Sequence, residues 1–131
     1  MSKPKPLLFS IRTLPYPGIV TITTELSADK IIRYLNRHHN AQIEPNSDIA
    51  TGIKQFAEDP QTLARTTRFN NGRTLIQFHP NPPLATVAHE LIHATYNTLN
   101  YVSVDLRDEE AFAYLFDYFL SEAISKLKVR N

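Results

Sequence analysis

Along the chain the spacing of apolar positions switches between a two-residue and a helical repeat. Residues 7–14 and 19–24 gather β-prone side chains on either side of Pro15, Tyr16, Pro17 and Gly18, and this spacing predicts a hairpin. Ser27 then predicts a helix N-cap, with Ile31, Ile32 and Leu35 on the inner face of a helix running to about His39. His38 and His39 close that helix, where a cation suits the dipole, and read as structural or solvent-facing. Ile49, Ile53 and Phe56 predict a short helix after Ser47 or Asp48. Two strand-like runs, 66–69 and 73–79, flank Asn70, Asn71 and Gly72, a hairpin turn sequence. Arg65, Arg68 and Arg73 around them read as a solvated strand face.

From residue 81 the period becomes helical. Asn81 is the expected N-cap, Pro82 suits the first helical position, and Leu84, Val87, Leu91 and Ala94 form an apolar stripe in a helix over 81–101. A second helix follows, capped by Asp105 or Asp108, with acidic residues in its first turn. Its stripe is Phe112, Leu115, Phe116, Phe119, Leu120, Ala123, Ile124 and Leu127; Glu109 falls inside this stripe and Glu110 at its edge. The terminal residues from Lys126 read as a frayed helix end. Strands and helices in this order predict an α+β fold.

Composition narrows the class. A chain of 131 residues supports one domain over 1–131 with a single core. Its net charge of +1 provides no general attraction to nucleic acid or to a membrane surface, so neither is expected as a partner. There is no cysteine, hence no disulfide, and the start of the chain has Ser10, Arg12 and prolines where a signal peptide has an apolar run. Asp117 interrupts the most apolar stretch, so no membrane span is expected, and the chain reads as cytoplasmic.

Chemistry concentrates in AHELIHA, where His89, Glu90 and His93 spell H-E-x-x-H. On a helix, residues four apart stand one above the other, so both imidazoles can share one metal ion. Zinc fits: two imidazoles, a carboxylate and a water fill a tetrahedron with one open position. Glu90 lies about a quarter-turn round the helix from His89, beside the metal, where a general base takes a proton from water. No histidine follows His93, so the third ligand must be a carboxylate. The helical wheel favours Glu109, because a core-facing carboxylate needs a partner.

HELIH followed by EEAFAYL resembles the gluzincin zinc metallopeptidases, in which a glutamate on the next helix completes the site. Glu110, Ala111, Phe112 and Ala113 are similar to the Asn-Glu-Gly-Phe-Ala ligand string of the aminopeptidase branch, with Ala111 for Gly, and the small peptidases that cleave phage-type repressors carry a similar helix. The resemblance covers 81–120, and by size the chain looks like a minigluzincin. It implies Glu110 as the third ligand, with Glu109 the alternate. Several relatives have an Asp four residues after the ligand; that position is Tyr114 here, leaving Asp117 as the candidate to orient an imidazole. The resemblance also implies that the strand before the metal helix is the sheet edge, so Leu75, Ile76, Gln77 and Phe78 would bind an extended substrate. His79, at the end of that strand, is a candidate hydrogen-bond donor to the site.

The expectation is therefore a small twisted sheet packed on an HExxH helix and a glutamate-bearing helix, a zincin-like fold. Its expected activity is zinc-dependent hydrolysis of a peptide or protein substrate, with one Zn2+ per chain and Glu90 as general base. The alternative is a non-catalytic or partner-specific regulatory protein of the phage-repressor type, in which zinc staples two helices.

Overall fold

The computed structural model describes residues 5–13, 16, 18–105 and 107–130. Strands β1 (Leu8–Arg12) and β2 (Ile19–Thr23) form the expected antiparallel hairpin, with Ser10 opposite Thr21. Leu14, the end of the first expected strand run, and Pro15 and Pro17 of the expected turn lie outside the described residues. Helix α1 (Ala28–His39) begins where Ser27 accepts the Lys30 N–H, and Asn40 ends it in a left-handed conformation. Helix α2 (Asp48–Glu58) starts in the same way, with Ser47 accepting the Ala50 N–H. Both starts were legible because a short polar side chain stands immediately before an apolar helical stripe.

Strands β3 (Ala64–Arg68) and β4 (Thr74–Phe78) pair antiparallel across the Asn70-Asn71-Gly72 turn. Gly72 has φ of 83°, and a Cβ there would collide with the Tyr101 ring, so the turn needs glycine twice over. Strand β4 also pairs parallel with β2, Ile22 lying opposite Ile76, which gives a mixed sheet of order β1-β2-β4-β3. The fold is thus α+β, with a four-stranded sheet and four helices among the described residues.

That order corrects the expected edge. β4 is hydrogen-bonded on both sides, and Leu75, Ile76, Gln77 and Phe78 are all buried, so none of them offers a free edge to a substrate. The physical reason is coverage of both sheet faces. Ile76 and Phe78 join Val20 and Ile22 in a core with Val87, Leu91, Ala94, Leu115 and Phe119, whereas Leu75 packs with Ile31, Leu35, Ala50 and Ile53. Gln77 follows Leu75 to that second side and donates from Nε2 to the Ile53 carbonyl at 3.1 Å. The free edge nearest the HExxH helix belongs to β3.

Helix α3 (Leu84–Tyr101) starts later than expected. Asn81 has φ of 56° and does not cap; the cap position is Pro83, without a side-chain bond. Two consecutive prolines explain this, because the residue before a proline is driven out of the helical region, so Pro82 cannot be the first helical residue. Leu84 consequently sits at the outer end of the helix, 38% exposed, while Val87, Leu91 and Ala94 are buried. The C-terminal residues are not frayed. After α4 (Glu109–Lys126) the chain turns back, Leu127 is buried, the Arg130 N–H donates to the Pro82 carbonyl at 2.8 Å, and the Leu84 N–H donates to the Arg130 carbonyl at 2.9 Å. The final residue of that tail, Asn131, lies outside the described residues.

Of the two acidic cap candidates, Asp108 begins α4 by accepting the Ala111 N–H at 3.1 Å, and Asp105 pairs with Arg107 at 3.0 Å. Leu115, Phe119 and Ala123 are buried and Phe112, Phe116 and Leu120 half-buried, as their spacing predicts, although Ile124 is exposed. Among the described residues no helix is long and apolar enough to cross a membrane.

Candidate metal centre

Helix α3 places His89 and His93 one turn apart with their Nε2 atoms 3.3 Å from each other and their ring centroids 5.0 Å apart. Two zinc–nitrogen bonds of roughly 2.0–2.1 Å at a tetrahedral angle put the nitrogens roughly 3.3–3.4 Å apart. The imidazole pair therefore already has the span of one edge of a zinc tetrahedron. His89 is exposed and His93 half-buried, so the pair is open to solvent on one side.

Glu90 is half-buried, and its Oε2 accepts a hydrogen bond from the Thr66 hydroxyl on β3. Thr66 alternates with Ala64 and Arg68 on one face of β3, the face turned to α3. The two elements run side by side. Four strand steps from Ala64 to Arg68 cover about 13 Å, and about nine helix residues cover the same distance. Ala64 accordingly lies by Ala85 and Thr86, and Arg68 by His93 and Tyr96.

Two cavities flank the histidine pair along this seam. One, of about 440 Å³, is lined by Leu63, Ala64, Ala85, Thr86, His89 and Glu90. The other, of about 230 Å³, is lined by Arg68, His93, Tyr96, Asn97 and Asn100. Asn97 ties α3 to the start of β4 by donating from Nδ2 to the Arg73 carbonyl at 3.2 Å and to Thr74 Oγ1 at 2.8 Å. The structure thus brings His89, Glu90 and His93 together with Thr66, Arg68 and Asn97, which the sequence reading did not assign to the site. Asn97 follows His93 by four residues on the same helical face, and Thr66 and Arg68 share a strand face; those two repeats were the available signals.

The expected third ligand is not drawn in. Glu109 and Glu110 are both exposed in the first turn of α4, and among the described residues no three His, Cys, Asp or Glu side chains converge to metal-holding distance. The imidazole pair fits zinc; the carboxylate position of the donor set is not formed. Tyr114, 64% exposed, and Asp117, also exposed, share the outward face of α4 with Glu110 and make no hydrogen bond to either imidazole.

His79 lies elsewhere. Its ring stacks on Phe56 with centroids 4.4 Å apart, and its Nε2 is 3.4 Å from the Asp59 carbonyl at the end of α2. The Thr62 hydroxyl and the Gln61 amide hold the Asp59 carboxyl below its ordinary range. The three arginines of the second hairpin also separate. Arg65 lies over Gly52 of α2, Arg73 donates to the His39 carbonyl, and Arg68 alone borders the histidine pair.

No family model, curated protein or solved structure matches this chain.

Proposed function

We propose that this chain is a zinc metalloendopeptidase of gluzincin type, in which His89 and His93 hold Zn2+, Glu110, exposed in this structure, or Glu109 as the alternate, swings in as third ligand, and Glu90 is the general base. The observation that carries the reading is the 3.3 Å approach of the two Nε2 atoms with the Glu90 carboxylate anchored beside them by Thr66. When bound, zinc supplies Lewis acidity, polarising a peptide carbonyl and acidifying a water. Thr66 occupies Oε2 of Glu90 and leaves Oε1 to accept the proton of the attacking water and return it to the leaving amine. An extended peptide adds to the free edge of β3 through main-chain hydrogen bonds, which holds its scissile bond over Glu90. In this reading the sheet, α3 and α4 form a zincin-like arrangement, and the protein works in the cytoplasm.

The test is zinc content by elemental analysis, with casein cleavage, on wild type and on Glu90→Ala, Glu109→Ala, Glu110→Ala and Thr66→Val. Zinc near one per chain is expected in wild type, in Glu90→Ala and in Thr66→Val, with cleavage abolished in Glu90→Ala and lowered several-fold in Thr66→Val. Glu110→Ala is expected to lose zinc. A well-folded wild type that takes up no stoichiometric zinc on reconstitution sinks the reading.

A second reading, in which zinc staples two helices without catalysis, stands beside the first. In it, the chain is a non-catalytic or partner-specific regulatory protein of the phage-repressor type that binds zinc. Stoichiometric zinc without casein cleavage selects it.

A further inference from the structure

We propose that the cavity beside His93 recognises a carboxylate. The protein then takes peptides with an acidic group on the His93 side of the site and an apolar side chain on the His89 side. As a statement about cleavage, this rests on the peptidase reading above.

Arg68 ends β3, shares a strand face with Thr66, and is exposed at the rim of the smaller cavity. Among the described residues it has no ion pair; the pairs present are Lys30 with Glu25 and Arg107 with Asp105. Arg65 and Arg73 of the same hairpin are engaged over Gly52 and at the His39 carbonyl, so the free guanidinium at this end is that of Arg68. Among the described residues no acidic side chain lines the cavity. Asn97 has its amide hydrogens on Arg73 and Thr74, so the donors facing an anion there are Arg68, Asn100 and the Tyr96 hydroxyl, beside the His93 imidazole, and of these Arg68 alone carries a fixed positive charge. A guanidinium fork matches a carboxylate with two parallel hydrogen bonds, and this geometry is strong and selective.

The opposite cavity has the contrary character. Leu63, Ala64 and Ala85 give it apolar walls, and Leu63 is 59% exposed with its side chain at the rim. Side chains on one face of an extended peptide recur every ~6.6–6.8 Å, and Ala64 to Arg68 spans about 13 Å with Thr66 midway. A peptide laid along β3 therefore reaches both cavities with residues on either side of the bond held over Glu90. The carboxylate can be an Asp or Glu side chain or the free C-terminal carboxylate of the peptide.

The experiment uses the full chain, wild type and Arg68→Ala, with amidated peptides that keep one apolar residue fixed and place Glu, Gln or Lys on the other side of the cleavable bond. A further Gln peptide with a free C-terminal carboxylate at that place separates the two sources. Affinity by calorimetry on the metal-free chain, together with cleavage on the zinc-loaded chain, reads the result. Wild type is expected to bind the Glu peptide or the free-carboxylate peptide at least about tenfold more tightly than the amidated Gln peptide, and Arg68→Ala to lose that preference. Arg68→Glu is expected to shift preference to Lys. Where casein is cut, kcat/KM for the peptides is expected to follow the same order, with zinc content retained in Arg68→Ala. Equal affinity of wild type for the Glu, Gln and free-carboxylate peptides overturns the proposal, as does an acid preference that survives in Arg68→Ala. Because affinity is read without metal, loss of the zinc or casein signals would defeat the peptidase reading and leave this result standing on its own.

Discussion

At the scale of single residues, His39 shows how burial changes a side chain read as a helix-end cation. Its Nε2 is 2.9 Å from Ser10 Oγ, and its Nδ1 is buried without a partner. Burial, then the charges of Arg73, His38 and Arg12, hold its pKa below the ordinary value of 6.5. The folded ring stays neutral at pH values where the unfolded chain takes up a proton, so the unfolded state binds more protons in that window. Stability is therefore fully present above about pH 6.5 and declines as pH falls below it. The urea midpoint of wild type is expected to drop between about pH 7.5 and about pH 5.5, and the drop to shrink in His39→Gln. An identical pH slope in the two chains would remove His39 from the account. The same scale explains the site: HExxH fixes which face two imidazoles share, but the hydroxyl that anchors Glu90 comes from a residue 24 positions away.

At the scale of elements, α1, α2 and α4 carry their own caps in Ser27, Ser47 and Asp108, whereas α3 does not. The helix that carries the histidine pair instead has its first amide satisfied by the Arg130 carbonyl, and Arg130 in turn donates to Pro82. Removing residues 128–131 is expected to cost about 1–2 kcal/mol, the range of a lost cap and its hydrogen bonds. Urea unfolding measures the loss, and hydrogen exchange should show the Leu84 amide losing protection. A truncated chain as stable and as protected as wild type would mean that the tail merely rests on α3. Local sequence could not reveal this device, because a backbone carbonyl leaves no residue-type signature.

At the scale of the whole molecule, the sheet is covered on both faces, by α3 and α4 on one and by α1 and α2 on the other. Leu75→Ala is accordingly expected to destabilise the chain by roughly 2–5 kcal/mol, since its side chain is fully buried. Leu63→Ala, at the exposed cavity rim, should stay within about 0.5 kcal/mol of wild type in the same urea titration. A small loss for Leu75→Ala would contradict the central position of β4. The sequence by itself determined the local features: two hairpins, four helices, the Ser27 cap, a choice of two residues for each of the caps that proved to be Ser47 and Asp108, and the pairing of His89 with His93. Each depends on residues within a turn or two of one another, where propensity and periodicity act directly. Tertiary structure alone decided that β4 pairs with β2 in parallel and leaves the edge to β3, that Thr66 and Arg68 stand beside the histidines, and that Glu109 and Glu110 remain apart from them. Those outcomes follow from which apolar faces meet across long stretches of chain, and a run such as TLIQF reads alike as an edge strand or as a strand buried on both faces until its neighbours are in place.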